Sequence, residues 1–560
     1  MAILKNPVLF FTTSPRTPAK MIPEIQLLCE QFSGEKWTKA TQKRFADELA
    51  QSPFFQGEGS ASEKDFSARD RINRAPKALG FVNLKPRIEL TEAGNAFVYG
   101  KRPQEAFLRQ LLKFQVPSPY HKETAKMEGV FWIRPYLEIL RLIRELEYLT
   151  FDELKIFGLQ MTDYRKYEAI KSRILDFREA KERQKGQYKR FVNETWTNAV
   201  LKIHRDRIAE GRTKTRETND ASLRKFVETQ KGNMRDYADA CFRYLRYTGL
   251  VSIAYHRKTI SIFSDKERDV DYILSAVGRD PVFTDNDGEY KSYLFDTKTP
   301  ALYTDQIDNI TDIIVGISDY ARRDLRGYSL EALKDLRDEI TARQQESAVQ
   351  EQVNEIKSRA LYADIIDTFR AISAKECYDA PLMFEYNAWR AMTMLDGGNI
   401  KGNFKFDDVG QPLSTASGNM PDIECDYGNF ALSVEVTLQS GQRQFESEGE
   451  SVARHYGKLK EKCGKDTYCL FIAPTINAST LAHFYGLNHL NIALYGGKSK
   501  IIPLQLKQFI KLLEISRQRP QPAPTDIRRF LDCALTRCES AADETCWSAD
   551  IQNCVDTWLT

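Results

Sequence analysis

The feature that most constrains this sequence is a change of apolar period, from that of a helix to that of short strands, which occurs twice in the first half. In the first copy, a helix over residues 66–79 ends at Gly80, two short strands follow within 81–90, and a further helix begins at Thr91. Glycine ends helices readily because it adopts left-handed backbone conformations at little cost. A helix followed by a two-stranded wing predicts a winged helix.

The second copy occupies residues 234–262. A helical run over 237–246 stops before Gly249 and gives way to two strands separated by a basic turn that contains Arg257 and Lys258. A single winged helix is weak evidence for DNA binding, because many serve only as protein–protein modules. Two copies, the second inside a basic stretch, favour DNA binding.

Basic charge is concentrated around this second copy, although the formal net charge of the whole chain is only +3. Residues 181–260 contain 19 lysines and arginines against 9 aspartates and glutamates. Such an excess is typical of a phosphate-binding surface, and a solvated charged helix face is the alternative. Recognition helices read base edges while wings hold phosphates. The candidate DNA contacts are Arg69, Arg71, Arg74, Arg224, Lys225, Lys231, Arg235, Arg257 and Lys258.

The length of 560 residues requires several domains, because a single hydrophobic core stops growing near ~250–300 residues. We predict a multidomain α+β protein with winged-helix recognition subdomains at residues 1–130 and 131–265. A polar, turn-rich stretch with a charged helical run predicts a helical linker at 266–350. The last domain should then occupy residues 351–560.

The sequence contains neither a secretory signal nor an apolar run long enough for a membrane span, so we expect a cytoplasmic protein without a membrane partner. Its ten cysteines form no C-x-x-C pair. The four nearest the C-terminus, Cys533, Cys538, Cys546 and Cys554, lack zinc-ribbon spacing. We therefore expect reduced thiols there.

The last domain carries acidic residues that periodicity turns inward. On a predicted helix over 378–395, Glu385 shares one face with Leu382 and Trp389. A buried carboxylate is costly without a partner. We therefore expect Glu385 to face a cation or a hydrogen-bond donor.

Further acids cluster around a predicted strand at residues 431–438. Alternation leaves Glu435 on the face opposite to its apolar residues, where Asp422 on the preceding strand can meet it. The next helix carries Glu448 and His455 on one stripe towards the same end. Three carboxylates, or four with Glu448, should therefore converge on one site.

Converging carboxylate oxygens suit Mg²⁺, for which Mn²⁺ can substitute. Such a metal can polarise a phosphate and activate water for phosphodiester hydrolysis. With the later apolar strand 468–473, the order of elements matches the α-β-β-α-β core of PD-(D/E)xK nucleases. The sequence therefore predicts an α/β PD-(D/E)xK restriction-endonuclease-like domain, and a structural ion-pair cluster is the alternative.

Three segments, residues 10–18, 233–240 and 434–438, resemble the AlwI family of type IIS restriction endonucleases, which includes strand-nicking and double-strand-cutting enzymes. The resemblance covers nearly the whole chain. It implies recognition of a short asymmetric site in double-stranded DNA and cleavage a few base pairs to one side. It also implies catalytic roles for Glu385, Asp422, Glu435, Glu448 and His455, and a metal site formed by Asp422, Glu435, Val436 and Glu385.

One position departs from the general PD-(D/E)xK pattern. Thr437 stands where a lysine would supply positive charge, and Glu448, His455 or Gln439 are candidates to replace it. One active site per chain cuts one strand at a time, so a double-strand break needs a transient homodimer or a small nuclease subunit. The resemblance also implies a separate cognate methyltransferase.

The main alternative is a non-catalytic winged-helix DNA-binding regulator with a degenerate nuclease-like oligomerisation domain. Metal-dependent cutting of plasmid DNA would separate the two. An ATP-driven enzyme is disfavoured, because the sequence Gly497-Lys498-Ser499 lacks the upstream glycine of a P-loop, whose position holds Ile492.

Overall fold

The computed structural model describes residues 7–52, 54, 68–121, 131–184, 186–407, 410–416, 420–518 and 522–559. These residues form two compact units, which we call unit 1 (7–52 and 68–340) and unit 2 (341–559, with the gaps given above). No helix within the described ranges is long and apolar enough to cross a membrane.

Unit 1 contains the first predicted change from helix to hairpin. Its helical residues lie within 68–78, and β1 (Val82–Asn83) pairs antiparallel with β2 (Glu89–Leu90). Gly80 joins them with φ of +78°, and a Cβ at this position would lie 2.5 Å from the side chain of Leu294. The junction therefore needs glycine for its conformation and for space.

The second change follows the long helix α11 (Leu223–Tyr247). Strands β4 (Val251–Ala254) and β5 (Thr259–Ile262) pair antiparallel, as the sequence predicted. A further strand, β3 (Tyr148–Thr150), pairs with the other edge of β5 and gives the order β3-β5-β4. Sequence reasoning missed β3, because three residues are too few to show a period.

The rest of unit 1 is helical. The rings of Phe107 and Tyr244 are in edge contact at 5.5 Å between centroids within its aromatic core. The other helices of this unit are α1 (Met21–Phe32), α2 (Lys39–Gln51), α3 (Ala75–Ala78), α4 (Glu92–Val98), α5 (Pro103–Lys113), α6 (Pro135–Glu145), α7 (Phe151–Ile156), α8 (Tyr167–Glu182), α9 (Tyr188–Ile203), α10 (Arg205–Ala209), α12 (Glu267–Ala276), α13 (Asp287–Phe295) and α14 (Ile307–Ile317).

The predicted linker at 266–350 differs from the structure, because residues 266–340 are packed within unit 1. Its short helices bury their few apolar residues, and Ile310, Ile314 and Leu333 belong to one apolar cluster. The sequence suggested a linker because this stretch is polar and turn-rich and leads into a charged helical run. The boundary between the units falls inside helix α15 (Leu330–Lys357).

Unit 2 is built on a five-stranded mixed sheet in the order β12-β11-β10-β9-β6. Strands β10, β11 and β12 are parallel to one another, whereas β9 runs antiparallel to both β10 and β6. The strands are β6 (Asn399–Gly402), β9 (Ile423–Asp426), β10 (Phe430–Val436), β11 (Asp466–Ala473) and β12 (Ile501–Gln505), and a separate hairpin joins β7 (Lys405–Phe406) to β8 (Pro412–Ser414).

Both faces of the central strands are covered, as is usual for parallel strands. Every residue of β10 except Val436 is buried. Tyr456 packs against the sheet residue Phe471 in one apolar cluster. The helices of this unit beyond α15 are α16 (Tyr362–Ser373), α17 (Ala380–Leu395), α18 (Gln442–Cys463), α19 (Ala478–His489), α20 (Leu506–Arg517), α21 (Pro524–Ser540) and α22 (Glu544–Thr557).

The prediction of reduced thiols near the C-terminus is wrong for one pair. Cys533 on α21 and Cys554 on α22 form a disulfide, with Cα atoms 6.1 Å apart. The two helices pack side by side, which brings these cysteines together although 21 positions separate them in the sequence. Cys538 and Cys546 are free thiols.

Candidate active site

Two acids face each other at one end of the unit 2 sheet. Strand β9 is paired with β10 so that Ile423 lies opposite Val434. Continuing this register by one residue sets Asp422 opposite Glu435. The carboxylate of Asp422 also accepts a hydrogen bond from the backbone N–H of Val436, at 2.8 Å. The antiparallel pairing therefore brings together the two acids that the strand pattern selected.

His455 on α18 contacts the second of these acids. Its Nδ1 lies 2.9 Å from Oε1 of Glu435, and both side chains are buried. Burial, assisted by the charges of Arg454 and Lys458, lowers the pKa of His455 to about 4. The imidazole is therefore neutral near pH 7. Its Nε2 is buried and has no hydrogen-bond partner within the described part of the chain.

Glu385 faces inward from α17, as its helical position predicted. The residue is 9% exposed, and its Oε2 accepts a hydrogen bond from the backbone N–H of Ala416 at 2.9 Å. The expected hydrogen-bond donor is thus a backbone amide. Glu448 is half-buried on α18 and lies on the same face of this helix as His455.

The four carboxylates are close enough to affect one another. Burial, and then the negative charge of Glu435, raises the pKa of Asp422 well above its usual range. Burial likewise raises the pKa of Glu435, followed by the charges of Glu448 and Glu385. Each ionised carboxylate therefore makes ionisation of the next one harder.

This donor set fits a hard divalent cation in its chemistry. Carboxylates that raise each other's pKa are relieved when a cation neutralises them, and carboxylate oxygen is the preferred ligand of Mg²⁺. Within the described ranges, however, no three His, Cys, Asp or Glu side chains already lie close enough together to hold a metal ion.

A model of the AlwI restriction endonuclease family matches residues 77–512, which is most of the chain and includes the four carboxylates. The chain belongs to the AlwI restriction endonuclease family. It is therefore a restriction endonuclease, and its role is to cleave DNA. No curated protein sequence matches this AlwI family member.

Three solved structures of restriction enzymes are similar to this AlwI family chain. The small subunit R.BspD6I2 of the heterodimeric restriction endonuclease R.BspD6I is 26% identical, covering 34% of this chain and 97% of the subunit with a TM-score of 0.30. The BpuJ1 endonuclease binding domain, solved with pyrene- and phenanthrene-modified DNA, is 12% identical, with 49% and 90% covered and a TM-score of 0.32. Restriction endonuclease FokI is 12% identical, with 92% and 97% covered and a TM-score of 0.23.

The arginines selected from the first helix of this AlwI family enzyme are bound to acids within unit 1. Arg69 and Arg74 both pair with Asp70, at 3.0 and 2.7 Å. Arg71 Nε donates to Glu24 at 2.8 Å, and Glu24 is 1% exposed. Arg71 therefore neutralises a buried acid, and losing it would leave that charge uncompensated.

The basic residues selected from α11 are spread along the helix. Arg224 and Lys225 share the partner Glu228, and Arg235 lies 3.7 Å from Asp236. At ~1.5 Å per residue, Arg224 lies about 35 Å along the axis from the end of this helix. These residues and the wing therefore do not form one compact patch.

Lys231, also on α11, is held against α9. Its Nζ donates to Asn193 at 2.9 Å and to Thr197 at 2.6 Å, and it lies 5.0 Å from the ring centroid of Trp196. Lys155 approaches the same ring at 4.2 Å. Lys231 therefore packs α11 against α9 within unit 1, whether or not it also contacts DNA.

The basic turn of the second hairpin is accessible. Arg257 is exposed, and Lys258 is half-buried with φ of +53°. The carbonyl oxygen of Lys258 accepts a hydrogen bond from the backbone N–H of Phe151, at 2.8 Å. That bond fixes the turn, so the Arg257 side chain projects from a defined backbone.

A basic loop that sequence reasoning did not select lies between α10 and α11. Arg207 donates to the carbonyl oxygens of Arg212 and Lys214, at 2.7 and 2.8 Å, and so orders the loop. Burial raises the pKa of Tyr237, and the positive charges of Arg216 and Arg74 lower it in part, so both arginines lie near this side chain. The sequence signal for this basic loop is the run G-R-T-K-T-R at 211–216. It lies outside both predicted winged helices, so sequence reasoning did not select it.

Proposed function

We propose that this restriction endonuclease is a type IIS site-specific deoxyribonuclease. Unit 1 binds a short asymmetric site in double-stranded DNA, and unit 2 hydrolyses phosphodiester bonds a few base pairs to one side. The observation that carries the proposal is the placement of Asp422 opposite Glu435, where burial and the neighbouring carboxylates raise the pKa of both acids.

In unit 2, Asp422, Glu435, Glu385 and the backbone of Val436 would hold Mg²⁺ or Mn²⁺. Bound there, the ion would polarise the scissile phosphate and lower the pKa of a bound water. The sheet with its flanking helices serves as a PD-(D/E)xK nuclease core. The hydrogen bond from Val436 N–H orients Asp422, and His455 orients Glu435.

Glu448 adds negative charge beside Glu435 and favours cation binding at this end of the sheet. His455 is neutral near pH 7, so it does not supply the positive charge that a lysine at position 437 would have supplied. In the tautomer whose Nδ1–H donates to the Glu435 carboxylate, the Nε2 of His455 is an acceptor. We assign these two residues supporting roles around Asp422 and Glu435.

In unit 1, the two helix-to-hairpin motifs serve as winged helices. The exposed Arg257 is the leading candidate for a phosphate contact, together with the ordered loop that carries Arg216. Cutting the second strand requires a transient homodimer or a small nuclease subunit, and a cognate methyltransferase protects the host site.

Plasmid cleavage tests the proposal. Wild-type protein should cut specifically with Mg²⁺ or Mn²⁺ and fail with Ca²⁺ or EDTA. Asp422→Ala and Glu435→Ala should abolish cutting and retain specific binding. Asp426→Ala is the matched control, because Asp426 is an exposed acid on the same strand β9, paired with Lys465 at 2.6 Å.

Retained cutting by Asp422→Ala would disprove the site. Specific binding without metal-dependent cutting by the wild type would indicate a regulator. Run-off sequencing of both strands would give the cut positions and show whether one strand or both are cut.

A further inference from the structure

The end of strand β10 provides no positive charge for DNA. Thr437 is 6% exposed, and its hydroxyl oxygen accepts a hydrogen bond from the backbone N–H of Gln439 at 3.1 Å. Four carboxylates surround this end of the sheet. A phosphodiester approaching them is repelled unless cations are present, and a protein cation beside the metal would lower that barrier.

Helix α18 is the element that can supply such a cation. It carries His455, which contacts Glu435, and Lys458 lies one helical turn further on. Lys458 therefore lies on the side of α18 that approaches the acidic cluster.

Lys458 differs from its basic neighbours on this helix. Arg454 pairs with Glu450 at 3.0 Å, Lys460 donates to the carbonyl oxygen of Gly496 at 2.7 Å, and Lys462 pairs with Glu424 at 2.9 Å. Lys458 is exposed and has no ion pair or hydrogen bond within the ranges that the structure describes. Its ammonium is thus available to a ligand.

A groove of about 340 Å³ lies between Lys458 and the segment that directly precedes Asp422. It is lined by Met420 and Pro421, which directly precede Asp422, by Glu424 of β9, and by Lys458, Leu459, Glu461 and Lys462 of α18. The groove therefore places Lys458 beside the residues that precede Asp422, and the helix places it one turn from His455, which contacts Glu435.

We propose that Lys458 binds a phosphate of the cleaved strand next to the scissile bond, so that α18 supplies the cation that β10 lacks at Thr437. This inference rests on the proposed nuclease function. A lysine ammonium is a point charge on a flexible stem, and its contact with a non-bridging phosphate oxygen does not depend on a fixed orientation. The residue then holds the strand against the metal site.

The test uses the full chain and a duplex built from the sequence around the cut found by run-off sequencing. We compare wild type with Lys458→Ala, Lys458→Gln and Lys458→Arg in single-turnover cleavage with Mg²⁺, and we measure duplex affinity in Ca²⁺. Lys507→Ala is the matched control, because Lys507 is an exposed lysine of unit 2 on helix α20. Melting temperatures verify that every variant is folded.

We expect Lys458→Ala and Lys458→Gln to slow cleavage about 10- to 100-fold, towards the range seen when a single stabilising donor is removed. Lys458→Arg should retain most of the rate, and Lys507→Ala all of it. Neutral methylphosphonates are then placed singly at the phosphates flanking the cut. At one position, the methylphosphonate should slow the wild type but not slow Lys458→Ala any further, because the two changes remove the same contact.

Two kinds of result would contradict the proposal. If the wild type cuts and Lys458→Ala cuts at the same rate, the role of Lys458 is overturned, and the nuclease function stands. The same holds if the rate losses from Lys458→Ala and from the methylphosphonate are additive at every flanking phosphate. Absence of metal-dependent cutting by the wild type would overturn the proposed nuclease function and this inference with it.

Discussion

The imidazole Nδ1 of His455 lies 2.9 Å from the carboxylate of Glu435, and both side chains are buried at the end of the sheet in unit 2. The contact ties helix α18 to strand β10 at the position where the acidic residues meet. Because the pKa of His455 is lowered to about 4, the imidazole orients Glu435 as a neutral group near pH 7.

The first prediction concerns the orientation of Glu435 by His455. His455→Ala should lower the single-turnover rate with Mg²⁺ by at least about 10-fold, as is typical when a group that orients a metal ligand is lost. His455→Asn, which can still donate to Glu435, should recover part of the rate. The apparent affinity for Mn²⁺ should weaken in parallel, whereas a merely structural role would lower the melting temperature without this change.

The pKa of His455 also gives a stability prediction. Burial lowers the folded-state pKa of His455 to about 4, below its ordinary value of 6.5, so between these pH values the unfolded chain binds more protons. The contribution of His455 to stability should therefore fall as pH decreases from 6.5 to 4. Urea titrations of wild type and His455→Asn should show this slope reduced in the variant. An equal slope in both proteins would contradict the assignment.

The facing acids predict the opposite pH dependence. The pKa of Asp422 is raised in the folded state, so the folded chain binds more protons and stability falls as pH rises from about 4. At pH 7 to 8 without metal, Asp422→Asn should therefore raise the melting temperature by about 2–4 °C, the shift expected for 1 kcal/mol in a unit of this size. Mg²⁺ should stabilise the wild type more than the variant, which differential scanning calorimetry can measure.

A buried and an exposed lysine of unit 1, both in ion pairs at helix α15, should differ in their contribution to stability. The Lys334 side chain is 5% exposed and lies between Glu105 and Asp305, at 2.9 and 2.8 Å. Lys334→Ala should destabilise the protein by about 1.5–3 kcal/mol, because it removes two charge-assisted hydrogen bonds from a buried ammonium, while Glu105 keeps Arg337 and Asp305 keeps Arg109 as partners. Lys101 is the control: its side chain is 74% exposed and pairs with Asp335, so Lys101→Ala should cost less than about 1 kcal/mol. Equal losses in urea denaturation would contradict the burial argument.

Two arginines of unit 1 should respond differently when DNA binding is measured against salt. Arg257→Ala removes an exposed charge and should lower the slope of log K against log[salt] by about 0.9 for one phosphate contact. Arg71→Ala removes the partner of the buried Glu24 and should lower the melting temperature. An unchanged slope for Arg257→Ala would mean that the second wing does not contact the DNA.

The sequence by itself determined the elements that depend on local periodicity. The changes from helix to hairpin at Gly80 and before β4, the inward position of Glu385 and the pairing of Asp422 with Glu435 could all be predicted. A period of 3.6 or 2 residues assigns a side chain to one face of its own element. These predictions therefore needed no knowledge of distant segments, and the match to the AlwI family extends over the same regions.

The tertiary structure decided what depends on segments that meet across the fold. Residues 266–340 pack into unit 1, β3 joins the hairpin of β4 and β5, Cys533 pairs with Cys554, and Arg71 binds Glu24. No local pattern specifies these partners, because long-range contacts arise only when separate apolar faces are buried together. The availability of Lys458 was decided in the same way, since only the packing of α18 shows which of its charges are already paired.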